Sequence, residues 1–289
     1  MLSIPTLAHP LLLDPLLAGW LQEDWGRGDR TSEALFDEDG PPARGNILLK
    51  EPGLVAGLPL LPRLFRLIDS QVECVSVVAE GSPCASRTVI ATLYGPVRSL
   101  LMGERVALNL LQRLSGVATH THRYVERLEG YKARLADTRK TTPGLRLLEK
   151  YAVRVGGGVN HRFGLDDAVM IKDNHLLAGG GIAATVARAR ARVPFPTPIE
   201  VETESLQQVE EAVACGVDII MLDNMPPDQM EQAVRLIAGR AIVEASGNIT
   251  LDTLESVAST GVDYISTSAT ITRATWLDIS LDLQGLNQP

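Results

Sequence analysis

The sequence predicts an α/β protein, in which a small N-terminal α+β layer is followed by a parallel α/β unit that closes towards a barrel. At 289 residues the chain exceeds one small domain. Its second half alternates strand-like and helix-like segments at intervals of roughly 20 to 35 residues, the rhythm of a parallel sheet. Polar residues then follow each of six strand candidates, which in a barrel would place them all on one rim.

From Leu11 to Leu21 the apolar spacing predicts a helix, and the polar run EDWGRGDRTS after it reads as a loop. Short strands are expected at Asn46 to Leu49, Val72 to Val78 and Thr88 to Leu93, separated by Gly and Pro. Glu104 to Glu129 is predicted helical, with Gly116 as a break, and the domain boundary is placed there, between 1–112 and 113–289. Strands are then expected to end at Ala136, Ile171, Val201, Leu222, Ala245 and Ser266. Between them, one helix starts at Ser205, capped with Gln208, and stops at Gly216, and another runs from Thr250 to Gly261.

Composition narrows the function. Hydrophobic residues at 45% and charged residues at 21% describe an ordinary globular chain. A net charge of −8 excludes a nucleic-acid backbone as the expected partner, because that would call for a basic surface. The apolar start lacks a basic leader and is interrupted by Pro5, Pro10, Asp14 and Pro15, so neither a signal peptide nor a membrane span is expected. Cys74, Cys84 and Cys215 have no metal-ligand spacing and read as reduced core thiols of a cytoplasmic protein.

The chemistry concentrates between Thr138 and Lys172, where seven Lys or Arg meet three acids inside an acidic chain. This points to an anion site. Arg139 and Arg162 offer planar forks for carboxylate or phosphate, and Lys140 and Lys172 offer point charges. Arg146, Lys150 and Arg154, in a helix-like run with Glu149, read as solvated charges. Gly156 to Gly158 permit a close backbone approach ahead of His161 and Arg162. Glu202 and Asp223 close successive strands and suit a divalent ion, ribose hydroxyls or a developing positive charge; plain ion pairs with Lys140 and Lys172 are the alternative. Ser246, Gly247 and Asn248, with Thr267, Ser268 and Ala269, end the last two strands, where barrels build phosphate sites.

Together the segments EDWGRGDRT, LKEPGLVAG, GERVALNLLQRLSGVAT, DTRKTTPGLRLLEKYAVRVGGGVNHR, IKDNH, IEVE, LDNM, EASGNIT and GVDYIS resemble the successive motifs of the quinolinate phosphoribosyltransferases. The resemblance implies an N-terminal open-faced α/β sandwich, an incomplete α/β barrel and a C-terminal tail that returns to the first domain. It implies decarboxylating transfer of phosphoribose to quinolinate from phosphoribosyl pyrophosphate, with Mg²⁺, in a homodimer or a multiple of dimers. Carried over by position, Arg105 from the neighbouring subunit, Arg139, His161 and Arg162 would surround the quinolinate carboxylates, with Thr138 beside them. Lys140 and Lys172 would meet the phosphates or the dicarboxylate, Glu202 and Asp223 the ribose and metal, and the two late turns the 5-phosphate. Ser268 departs from the glycine common in the family. A nicotinate-using relative or one associated with molybdate transport, a barrel aldolase using Lys172 as a Schiff base, and a non-catalytic phosphate-binding protein are the alternatives.

Overall fold

The computed structural model describes residues 6–37 and 40–285; Met1 to Pro5, at the apolar start, lie outside it. Helix α1 (Pro10–Trp25) and the short α2 (Arg30–Leu35) precede β1 (Pro42–Leu49), β2 (Gly53–Leu54), α3 (Leu61–Ile68), β3 (Glu73–Ser76), β4 (Pro83–Cys84), β5 (Thr88–Pro96) and the long α4 (Val97–Arg127). There follow β6 (Arg134–Ala136), α5 (Arg146–Val155), β7 (Val169–Ile171), α6 (Asp173–Gly179), α7 (Ile182–Arg190), β8 (Ile199–Thr203) and α8 (Leu206–Ala214). The chain continues through β9 (Ile219–Asp223), α9 (Pro227–Ile237), β10 (Ile242–Ser246), α10 (Leu254–Ala258), β11 (Tyr264–Ser266), α11 (Ala269–Thr272) and β12 (Ile279–Gly285).

These elements form two compact units. The first holds the chain up to His120 together with Thr142–Gly157 and the residues from Ala274 onward; the second holds Thr121–Thr141 and Gly158–Arg273. The contacts thus divide inside α4, eight residues beyond the boundary placed after 112, and they assign α5 to the first unit.

In the first unit β12, β1, β5 and β3 form an antiparallel sheet in that order. Strand β1 alternates between buried and half-exposed positions along Ala43 to Leu49, so only one face of the sheet is fully covered, as an open-faced layer requires. The C-terminal strand therefore returns to pair with β1. It is led there along α4, where Gln112 donates to the Ile279 carbonyl at 2.8 Å and accepts, at its backbone carbonyl, the Leu277 N–H at 3.1 Å.

Gly116, expected to break α4, does not; the helix runs through it. The glycine is needed for a different reason, since a Cβ there would lie 1.9 Å from the Thr275 carbonyl oxygen. A methyl cannot displace backbone cheaply, so Gly116→Ala is expected to cost about 3 kcal/mol, the upper end of ordinary overpacking. That corresponds to a fall of roughly 6 to 12 °C in melting temperature, and a melting curve superimposable on the wild type would contradict the close contact.

Glu149 and Lys150, expected on a solvated helix face, are fully buried instead. Glu149 is held by a network: Arg113 donates from Nε and Nη2 to Glu149 Oε1 at 2.9 and 2.7 Å, and Thr142 gives its backbone N–H to Oε2 at 2.8 Å. A lone sequence cannot distinguish such a paired glutamate from a solvated one. The three cysteines are reduced but half-buried rather than in the core.

The second unit is a six-stranded parallel sheet ordered β6-β11-β10-β9-β8-β7. Strands β6 and β7 are its two ends, which leaves the barrel incomplete as the resemblance implied. Val201, Ile220, Leu222, Ala245 and Ile265 are inaccessible to solvent and build its core with the helices that follow each strand. None of the described helices is long and apolar enough to cross a membrane.

Candidate active site

The carboxyl ends of all six parallel strands open into one cavity of about 620 Å³, contained in the second unit. Strand β6 delivers Thr138, Arg139 and Lys140; the segment before β7 delivers His161 and Arg162; Lys172 follows β7. Glu202 closes β8, Asp223 closes β9, Ser246 to Asn248 follow β10 and Thr267 to Ala269 follow β11. Fourteen of the fifteen expected site residues thus line one wall or another of it. Arg105 does not: it lies exposed on α4, in the first unit.

Local bonds fix these groups. Thr138 accepts the Lys140 N–H at 3.0 Å through its hydroxyl, and Arg162 donates from Nη1 to the Ala168 carbonyl at 2.9 Å. Burial, and then the charge of Arg139, lower the pKa of Arg162, as expected of cations crowded to receive an anion. Lys172 Nζ lies 2.7 Å from Glu202 Oε2. An ammonium tied to a carboxylate is a poor nucleophile, which counts against a Schiff base at that lysine.

Glu202 and Asp223 stand on adjacent strands, and Asp223 is held above the usual carboxylate range, first by burial and then by Glu202. Asn224 donates to Asp223 Oδ2 at 2.8 Å and accepts from Asn248 Nδ2 at 3.0 Å, which ties two strand ends together. Gly247 has φ +96, and a Cβ there would meet Asn224 Oδ1 at 2.3 Å. Only glycine lets this turn pass so closely. Ser268 has φ −77, a backbone open to any residue, so the serine at this position brings no strain.

Three acids were missed or underrated. Asp137 is buried and accepts the His161 N–H at 2.8 Å and Asn160 Nδ2 at 2.7 Å. Glu200 and Glu244 are buried, and Nε2 of His161 lies 3.3 Å from an oxygen of each. The signal was legible: strand side chains alternate, so Glu200 shares a face with Glu202, and Glu244 with Ser246, one layer deeper into the barrel.

Both halves of the chain match one family. The quinolinate phosphoribosyl transferase C-terminal domain matches residues 117–282, and its N-terminal domain matches residues 29–115. The chain belongs to the quinolinate phosphoribosyl transferase family. Within it, the probable carboxylating nicotinate-nucleotide pyrophosphorylase of Synechocystis is 52% identical over 94% of this chain and 93% of that one. The carboxylating nicotinate-nucleotide pyrophosphorylase of Homo sapiens is 38% identical over 97% and 95%. The crystal structure of NadC from Streptococcus pyogenes superposes with a TM-score of 0.93 at 46% identity, over 98% of this chain and all of that one. In this quinolinate phosphoribosyl transferase the family's two domains correspond to a sheet with one open face and a parallel sheet whose strand ends share a cavity.

Proposed function

We propose that this chain catalyses the transfer of phosphoribose from phosphoribosyl pyrophosphate to quinolinate, forming nicotinate mononucleotide, pyrophosphate and carbon dioxide on the route to NAD. The observation that carries the reading is the gathering of Arg139, Lys140, Arg162 and Lys172 opposite Glu202 and Asp223 in one cavity, in a member of this family. Two polyanionic substrates repel each other in water, and the cations offset that repulsion while fixing the orientation of the reacting atoms. The ring nitrogen then donates its lone pair to C1 of the ribose as the C1–oxygen bond to pyrophosphate breaks. Glu202 and Asp223 stabilise the positive charge that spreads over C1 and the ring oxygen. With the ring nitrogen now cationic, the bond from C2 to its carboxylate breaks. The electron pair stays on C2, carbon dioxide leaves, and C2 takes up a proton.

The acid pair also fits Mg²⁺. Its donors are hard oxygens on neighbouring strands, and burial and then Glu202 hold the pKa of Asp223 up, a penalty that a bound cation would offset. Bound there, the ion would neutralise charge on the departing pyrophosphate. The turns at 246–248 and 267–269 supply backbone and small side chains for the 5-phosphate. Arg105, exposed on α4, completes the dicarboxylate site of a neighbouring subunit in a homodimer, alone or in a multiple of dimers. The reaction runs in the cytoplasm, where three unpaired cysteines remain reduced.

An assay of carbon dioxide and mononucleotide from quinolinate, with nicotinate as the alternative substrate, tests the reading. Nicotinate lacks the 2-carboxylate, and a lost charge-assisted bond is worth about 1.5 to 3 kcal/mol. Its kcat/KM is therefore expected to be roughly 10 to 100 times lower. Equal use of both acids would refute the two-carboxylate assignment.

A further inference from the structure

Two carboxylates at and beneath the floor of the cavity have no part in the proposed reaction. Glu200 on β8 and Glu244 on β10 are 1% and 4% exposed. Apart from His161, no protein group is hydrogen-bonded to either oxygen of Glu200 or to Oε1 of Glu244. They converge on His161, whose Nε2 is 3.3 Å from Oε2 of each. Asp137 holds the backbone of His161 from the end of β6, and Arg162, with Arg139 beyond it, stands on the side of the cavity.

Burial opposes a charge on the ring, but the two carboxylates outweigh it and hold the His161 pKa up at about 10. The Arg162 N–H, 2.8 Å from Nδ1, favours the opposite state, a ring with a single proton on Nε2. Burial, and beyond it Glu244, raise the pKa of Glu200, but the two carboxylates against Nε2 remain the stronger influence on the ring, because interactions with ionised groups exceed neutral hydrogen bonds about twofold. Two buried carboxylates around one atom need a cation or a proton between them, and a charged ring supplies the first.

We infer that Glu200 and Glu244 are positioning residues that clamp His161 by Nε2 and keep its ring fixed and cationic in the floor of the cavity, as a partner for a substrate carboxylate. This rests on the reading of the site as one for a dicarboxylate. Only His161 and Glu244 of the three line the cavity. Removing one glutamate therefore weakens substrate binding by releasing the ring's charge, although it also removes a negative charge from the floor.

The ring resonances of His161, assigned by their loss in His161→Gln, provide the first test. In the wild type they are expected not to titrate between pH 6 and 8.5, whereas in Glu244→Gln they titrate inside that window. In the same variant the KM for quinolinate should rise at least tenfold between pH 6 and 8.5. The wild type should change less than twofold, and kcat and the KM for phosphoribosyl pyrophosphate should hold within threefold. Glu244→Asp, which keeps the charge, should behave like the wild type, and Glu200→Gln repeats the test if Glu244→Gln fails to fold. Titration of the wild-type ring inside the window, or a quinolinate KM in Glu244→Gln that stays flat or falls, would overturn the inference. So would zinc or manganese retained stoichiometrically by the wild type and lost with Glu244. If the wild type released no carbon dioxide from quinolinate, the proposed reaction would fail, while the titration would still report whether the two glutamates hold the ring charged.

Discussion

Glu202→Gln and Asp223→Asn should each lower kcat by two orders of magnitude or more while leaving the melting temperature within a few degrees of the wild type. The asymmetry follows from where the charges sit. Removing one preorganised group that meets developing charge costs about 10²- to 10³-fold in turnover. Folding depends on these groups far less. Asp223 is held above its usual range by burial and by Glu202, so neutralising it relieves a repulsion. Glu202 loses its 2.7 Å contact with Lys172, a lysine 41% exposed, and such pairs contribute only about 0 to 1 kcal/mol. Near-normal turnover in both variants would remove the acids from the mechanism. A large loss of stability would make them structural.

Subunit mixing should restore about a quarter of wild-type activity to two variants that are each nearly inactive, Arg105→Ala and Lys140→Ala. Lys140 lines the cavity, whereas Arg105 is exposed on α4 and absent from the lining. In an isologous dimer with Arg105 contributed in trans, a mixed dimer places both defects in one site and none in the other. After random exchange of equal amounts, about half of the dimers are mixed and half of their sites are intact. Activity that stays at the level of the separate variants, with exchange confirmed by native mass spectrometry, would place Arg105 outside the neighbouring site.

The parts legible in the sequence are those governed by local periodicity. All six strand ends of the second unit fall within two residues of their expected positions, because buried parallel strands are short apolar runs followed by polar ends. The cavity followed from the same fact, since residues just beyond parallel strands share one rim. Long-range partners were not legible. Gly116 looks like a helix breaker until Thr275 is seen against it, and Glu149 looks solvated until Arg113 is placed. The helix expected from Thr250 forms only at Leu254–Ala258, because Thr250 to Thr253 form turns closed by the Thr253 hydroxyl, which accepts the Thr250 N–H at 3.0 Å. The inner glutamates were open to the alternation argument but were outweighed by the more conspicuous cations.

The return of β12 to β1 also sets an order of events during synthesis. The sheet of the first unit borrows one of its four strands from residues made after the parallel sheet, and α4 holds the segment leading to it through Gln112 and Gly116. Domains generally fold as their residues leave the ribosome, N-terminal parts first. Here the earlier unit must wait with an edge of β1 unpaired while the entire parallel sheet is translated. Exposed strand edges recruit other chains, so the hazard of aggregation falls on β1 of the nascent chain, and it ends only when β12 is released.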